Sequence, residues 1–386
     1  MTTTWHLLTG EYPPSSGGVG DYTRVLACEL ARRGEAIHVW SPSVPSNGQD
    51  GAIHLHALPD RFGVRSRQTL DSAWRALPGI VLLQYVPNAL GAGGLNVPFC
   101  WWLRRIRGRQ DIRVMFHEPY FYFSWNPAGN LRAAVQRLMA RLLVEASRTV
   151  FLSTETWRRY LPPSSHSTVL PMPSTIPRSC DLEAAARFRE RLPGVRPGSD
   201  RGQTGVRPGS IELVGHFGTY GDHVARELEP IVPLVLDARP SAHFVFIGRG
   251  SEAFAAALRG RCARFAARIH STGPLSSMDA AAAIRACDVM VQPYPDGITT
   301  RRTSAMAAMT NGVATVSTTG DLTEPVWSDT KAIALAPATN ARATAAQTIE
   351  LLGNASLRAQ LGESARRAYD AHFAIEESVG ALLTSR

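Results

Sequence analysis

Short apolar runs recur along this chain, and between them lie longer stretches whose apolar residues return every three or four positions. In the first half the runs fall at Trp5–Leu8, Ile37–Trp40, Ile80–Gln84, Arg113–His117, Thr149–Leu152 and Thr168–Leu170. In the second half they fall at Glu212–Phe217, His243–Ile247, Ile269–Ser271, Val289–Gln292, Ala314–Ser317 and Ile333–Leu335. Runs of this kind predict strands covered on both faces, and their alternation with helical patterns predicts parallel sheets. Two α/β units are therefore expected. Between them, residues 191–210 hold Gly-Val-Arg-Pro-Gly-Ser twice, eleven residues apart, and so much Pro and Gly cannot pack a core. The predicted division is a first unit over 1–190, a linker over 191–210 and a second unit over 211–370, with a final helix in 371–386.

Length agrees, since 386 residues exceed the roughly 150 of an ordinary domain. With 44% hydrophobic and 19% charged residues the chain has a globular rather than a disordered composition. Its five cysteines (Cys28, Cys100, Cys180, Cys262, Cys287) are odd in number and never spaced C-x-x-C, which argues against a disulfide framework or zinc knuckle and for a reducing cytoplasm. The first ten residues lack the basic and apolar regions of a signal peptide, and no run reaches the ~18 apolar residues of a membrane span. The formal charge of +9 suits nucleic acid, anionic lipid or a phosphorylated ligand. Neither a recognition helix nor an aromatic-basic sheet surface is apparent, so nucleic acid is not an expected partner. The basic residues include a single lysine, Lys331. A phosphate clamp must then be built from arginine, backbone N–H groups and hydroxyls.

Three segments carry candidate chemistry. Glu11-Tyr-Pro-Pro-Ser-Ser-Gly-Gly-Val-Gly-Asp-Tyr-Thr23 follows the first strand and opens a helix over Asp21–Arg33. Its glycines at 17, 18 and 20 allow a tight turn, and the helix N-terminus favours an anion such as phosphate. His117, in Val114-Met-Phe-His-Glu-Pro119, ends a central strand; it is either a sheet-capping histidine or a site residue. The third segment runs from Ile269 to Gly312 and contains Thr272-Gly-Pro-Leu275 and the loop Pro293-Tyr-Pro-Asp-Gly-Ile-Thr-Thr-Arg301. There Asp296 can accept two sugar hydroxyls, while Thr299, Thr300, Arg301 and a helix N-terminus can surround a diphosphate.

Taken in this order, Glu-Tyr-Pro-Pro with Gly-Gly-Val-Gly, His-Glu-Pro after a strand, and Thr-Gly-Pro-Leu through Cys287-Asp-Val-Met-Val-Gln-Pro-Tyr294 resemble the retaining GT-B glycosyltransferases of family four, over nearly the whole chain. The resemblance implies two Rossmann-like domains facing a cleft, and a final helix that returns to the first domain. It implies a donor nucleotide sugar held mainly by the second domain and a sugar or lipid-linked acceptor facing the first. His117 would contact the donor sugar, with Asp296 and Arg301 completing the reacting centre. Donor contacts would come from Gly18, Gly20, Gly218, Thr219, Thr272, Gly273, Leu275, Gly297, Thr299, Thr300, Arg302, Ser304 and Glu324. Acceptor contacts would come from Glu11, Tyr12, Tyr85 and Glu118.

The chain also departs from the family. Gly215-His-Phe-Gly-Thr-Tyr-Gly221 stands where an Arg and a Lys are usual, with Thr219 at the arginine position. The two glutamates eight positions apart are replaced by Asp296 and Ser304, or by Thr299 and Ala307 when aligned from Gly312. Arg301 or Arg302 is then the expected replacement clamp. No D-x-D occurs, so neither metal nor other cofactor is expected, and the resemblance implies front-face transfer with retention. The losses leave open a second reading, a weak or inactive binding subunit.

Two further segments have competing readings. Gly248-Arg-Gly-Ser-Glu-Ala253 matches a dinucleotide fingerprint but lacks the acid expected after the next strand. Phe99-Cys-Trp-Trp-Leu-Arg-Arg-Ile-Arg-Gly-Arg109 reads as a core helix with a basic end, or as a surface for the inner face of the membrane.

Overall fold

The computed structural model describes residues 2–15, 17–120, 127–162, 167–193 and 211–384. The duplicated Pro/Gly run at 194–210 lies outside the described residues. Internal contacts divide the chain into one unit of Met1–Pro173 with Ile375–Arg386 and another of Ser174–Ala374.

Among the described residues the first unit holds β1 (Thr4–Leu8), β2 (Ala36–Ser41), β3 (Gly48–Asp50), β4 (Ile53–Ala57), β5 (Ile80–Tyr85), β6 (Asp111–Phe116), β7 (Thr149–Leu152) and β8 (Ser167–Val169). They form one sheet in the order β3-β4-β2-β1-β5-β6-β7-β8, parallel except where β3 meets β4. Its helices are α1 (Gly18–Arg32), α2 (Val64–Ala76), α3 (Val97–Ile106) and α4 (Pro127–Ala146). The second unit holds α5 (Leu182–Glu190), β9 (Glu212–Phe217), α6 (Asp222–Ala238), β10 (Ala242–Ile247), α7 (Ser251–Arg261), β11 (Ile269–Ser271), α8 (Ser277–Arg285), β12 (Val289–Gln292), α9 (Thr303–Thr310), β13 (Thr315–Thr319), α10 (Val326–Thr330), β14 (Ala334–Pro337), α11 (Ala341–Gly353) and α12 (Ala355–His372). Its sheet is wholly parallel, in the order β11-β10-β9-β12-β13-β14. The last helix, α13 (Ile375–Thr384), belongs to the first unit.

In each sheet the chain winds outward from its first strand in one direction, then returns to wind in the other. The reversal falls between β1 and β5, and between β9 and β12. Loops at the carboxyl ends of these strands diverge, which opens a crevice where such sheets bind ligands.

The boundary between units falls before α5, earlier than the Pro/Gly run suggested. The reason is packing: Ala185 is buried with Leu213 and Ala283, and Arg189 pairs with Asp288 at 2.7 Å. Arg178 also donates to Thr310 O at 3.0 Å. The final helix joins the first unit through Val379 and Leu382, buried with Trp5 and Leu26, and its Leu382 O accepts from Arg113 at 3.3 Å.

Strands β3 and β4 were not legible as apolar runs, because β4 carries His54 and His56 at alternate positions. Parallel register sets His38 beside His54 and Trp40 beside His56. His56 stacks on Trp40 with centroids 3.9 Å apart, and its Nε2 lies 2.9 Å from His38 Nδ1. Burial pushes the pKa of both His6 and His56 down to about 4, so the neutral rings pack as aromatic surface. Among the described residues, no helix is long and apolar enough to cross a membrane.

Candidate functional site

The glycine-rich loop after β1 is already filled. Helix α1 begins at Gly18 rather than at Asp21, so its first amides lie among the glycines. Val19 N and Gly20 N donate to Glu11 Oε1 at 3.1 and 3.2 Å. The expected phosphate position therefore holds the chain's own carboxylate, which satisfies N–H groups that a helix start leaves open. A Cβ on Gly17 would lie 2.1 Å from the Glu11 carboxylate oxygens, so only glycine permits this approach. Tyr12 was expected to face an acceptor, but it is buried in the core with its hydroxyl 3.0 Å from Asp50, itself paired with Arg24.

His117 leaves β6 at the same edge. Its backbone N–H donates to Tyr85 O at 3.0 Å, while its carbonyl accepts from Trp157 Nε1 at 2.9 Å and Ser153 Oγ at 3.2 Å. The ring meets Tyr22 edge-on at 5.2 Å, and its Nε2 lies 2.7 Å from Gln84 Oε1. Burial alone pushes its pKa down to about 3, which keeps the imidazole neutral. Tyr85, expected at the acceptor, is instead fully buried on the opposite side of β5, edge-on to Phe116 at 5.0 Å. Glu118 follows His117 and is half-buried. Gln84 Nε2 and the hydroxyls of Tyr22 and Tyr85 are buried without a hydrogen-bond partner among the described residues.

In the second unit the loop between β12 and α9 gathers Asp296, Gly297, Thr299, Thr300, Arg301 and Arg302. Asp296 pairs with Arg301 Nη2 at 3.2 Å and with Arg302 Nη2. Arg302 also lies over the Tyr294 ring at 4.4 Å. Its burial, and then the like charge of Arg301, lower its pKa, so the Asp296 counter-charge matters to this pair. Asp296 was expected to face sugar hydroxyls; its oxygens are instead engaged by guanidinium groups. Thr299 is fully buried, with a hydroxyl that finds no partner among the described residues.

The rest of the loop is braced from behind. Glu324, expected beside the donor, is buried with both oxygens in use: Thr300 N donates at 2.7 Å, Thr300 Oγ1 at 2.6 Å and Trp327 Nε1 at 3.0 Å. Thr300 and Glu324 thus hold the loop's shape. Ser304, another expected donor contact, shares a 2.8 Å hydrogen bond with Tyr294 Oη. Gly297, at φ 86°, approaches the 320–323 turn so closely that a Cβ would lie 2.3 Å from Gly320 N.

Gly218 and exposed Thr219 follow β9, and Gly218 N donates to Ile247 O at 3.1 Å. Thr272 Oγ1 accepts from Gly248 N at 3.2 Å and donates to Gly273 O at 2.7 Å. Gly273 N donates to Ser251 Oγ at 3.0 Å, and Leu275 packs against the buried cluster around Ala283 and Met290. The glycines of the dinucleotide-like motif serve this packing: Cβ atoms on Gly248 and Gly250 would meet Gly218 O at 2.5 Å and Thr219 O at 3.0 Å.

Sequence reasoning passed over Gln84 and Gln292. Gln84 is the last residue but one of β5 and Gln292 the last of β12, each a polar residue in an otherwise apolar run at the reversal of its sheet. Gln292 Nε2 donates to Phe217 O at 3.2 Å, and its Oε1 is buried without a partner among the described residues. Tyr22, Tyr294 and Trp327 were also missed: Tyr22 meets His117 from far away in the chain, whereas Tyr294 and Trp327 bond Ser304 and Glu324 close by.

Two Rossmann-like units with these reversals make the GT-B fold, the fold of known glycosyltransferases. Sucrose-phosphate synthase (tll1590) from Thermosynechococcus elongatus aligns with a TM-score of 0.72 at 15% identity, covering 99% of this chain and 98% of that one. Anabaena Alr3699/HepE in complex with UDP and glucose aligns with a TM-score of 0.67 at 13% identity over 100% of both chains. WaaG, a glycosyltransferase involved in lipopolysaccharide biosynthesis, aligns with a TM-score of 0.65 at 13% identity over 97% of this chain and 98% of its own. At these identities the likeness shows the fold. No curated protein sequence matches the chain. Residues 211–354, most of the second unit, match the family model Glycosyl transferases group 1.

Proposed function

We propose that the chain moves a sugar, with retention, from a nucleotide diphosphate sugar to a hydroxyl acceptor in glycan, polysaccharide or glycolipid synthesis, without a metal or other cofactor. The observation that carries this reading is the pair Arg301 and Arg302, held on Asp296 beside buried Thr299 in the stretch that matches the group 1 family. Two guanidinium groups there can take the charge that grows on a departing diphosphate. Metal independence rests on the absence of D-x-D from the sequence. HepE is described in complex with UDP-glucose, which makes that donor the first to try. The test is a thermal-shift screen of nucleotide sugars in EDTA, followed by NMR of the product's anomeric configuration. A shift and turnover that appear only with added magnesium or manganese would defeat the metal-free reading, and an inverted product would defeat retention.

His117 is assigned to the transfer step rather than to the nucleotide. His117→Ala should lower kcat by about tenfold or more, the scale of a lost oriented polar contact, and leave nucleoside diphosphate affinity nearly unchanged. Steady-state kinetics with calorimetry checks both. Loss of the fold in this variant, with Arg301→Ala still folded, would return His117 to a structural role.

The second reading, a binding subunit, is favoured by Gly218-Thr219 where a cationic pair is usual. Ligand-induced stabilisation without turnover of any donor would select it. The first unit also exposes Trp101 under Arg105, 4.8 Å from the ring, together with Leu131 and Leu138 on α4. We extend the proposal to docking of this face on the anionic inner surface of the cytoplasmic membrane. Sedimentation with phosphatidylglycerol vesicles that does not fall on Trp101→Ala would remove that extension.

A further inference from the structure

Gln84 is the last residue but one of β5, and His117 is the first after β6. The strands run parallel with Tyr85 beside Phe116, so ring and carboxamide meet at one edge of the sheet. Gln84 is fully buried, His117 is 5% exposed, and their Oε1 and Nε2 atoms lie 2.7 Å apart. A carboxamide oxygen only accepts, so the ring nitrogen facing it carries the hydrogen. A neutral imidazole has one N–H, which leaves Nδ1 as an acceptor. The ring has little freedom to change this arrangement. Tyr22 lies edge-on against it, and the His117 backbone is fixed on both sides by Tyr85, Ser153 and Trp157.

We propose that Gln84 is a positioning residue: it holds the proton of His117 on Nε2 and so presents Nδ1 as a neutral acceptor to a hydroxyl of the transferred sugar. This rests on the assignment of His117 to the transfer step. It implies a substrate that donates a hydrogen bond there, since an acceptor nitrogen satisfies a hydroxyl but gives nothing to a phosphate oxygen. The buried Tyr22 hydroxyl and Gln84 Nε2, without partners among the described residues, mark the surroundings as built for polar company.

The experiment is 13C/15N correlation NMR of the full chain labelled at histidine, with the His117 signal identified by its loss in His117→Ala. Wild type should show the Nε2–H tautomer. Gln84→Leu should give a mixed or reversed tautomer and a kcat about tenfold lower at unchanged nucleoside diphosphate affinity. Gln84→Glu keeps an acceptor oxygen, so it should retain the Nε2–H tautomer and raise the ring's pKa through its charge. An Nδ1–H ring in wild type overturns the proposal, as does a wild-type tautomer in folded Gln84→Leu. Should Gln84→Leu not fold, an unmoved ring pKa in Gln84→Glu overturns it equally. Full activity of His117→Ala would instead remove the transfer assignment while leaving the tautomer result standing, so the two failures are distinct.

Discussion

Glu11 in the first unit and Asp296 in the second each place a carboxylate where a ligand's phosphate was expected, but they hold different partners. Glu11 accepts from backbone N–H groups of Val19 and Gly20, which are fixed by the start of α1. Asp296 accepts from the side chains of Arg301 and Arg302. A backbone cradle is part of the helix, so its carboxylate acts as a cap whose removal costs stability. A guanidinium pair keeps its charge when the carboxylate leaves, so it can pass from an internal anion to an external one. The first arrangement is structural; on the proposed function the second is exchangeable.

Four substitutions would break or sharpen that contrast. The largest effect is expected from Gly297→Ala, where a left-handed φ of 86° and a backbone nitrogen 2.3 Å from the new Cβ force the loop away from Gly320. A loss of about 2–4 kcal/mol in denaturant unfolding should accompany loss of diphosphate binding; an unchanged midpoint would show that the loop is not braced as described. Arg301→Ala should weaken nucleoside diphosphate binding by about 1.5–3 kcal/mol in calorimetry, the range for a charge-assisted contact. Unchanged affinity would shift the clamp to Arg302. Asp296→Asn should act in the opposite direction, tightening diphosphate binding by roughly three- to tenfold, or about 0.7–1.4 kcal/mol, because the arginines no longer share their charge with a carboxylate. Weaker binding in the folded variant would restore Asp296 as a ligand contact. Gly17→Ala should be the mildest. Its φ of −179° suits any residue, and the obstructing atoms are the mobile end of Glu11. Expulsion of the cap should lower stability by about 1 kcal/mol without changing diphosphate affinity, and a fall in that affinity would make the first loop a donor site after all.

Much of this site was legible before any fold was known, and the two units differ in how much. The Asp296–Arg302 loop could be found because its chemistry is local: an acid, two hydroxyls and two arginines stand within seven residues of one another, next to a helix start. The partners of His117 could not be found so. Gln84 and Tyr22 are 33 and 95 residues away in the chain, and only the pairing of β5 with β6 and the lie of α1 bring them to the ring. Glu324 was expected beside the donor, and its oxygens accept from Thr300 and Trp327; a sequence cannot tell a carboxylate facing a ligand from one bonded within the chain.

By itself the sequence determined two parallel α/β units, the strands that carry the loops and the arginine-rich chemistry of the second unit. Those follow from periodicity and residue type, which act over a few neighbouring positions. Only the tertiary structure decided where the units divide, that α5 joins the second, and which polar groups are already satisfied internally. Burial and hydrogen-bond partnership are settled by residues distant in sequence that arrive at the same place. Such arrivals filled the glycine-rich turn with Glu11, paired Asp296 with its arginines, and placed Gln84 against His117.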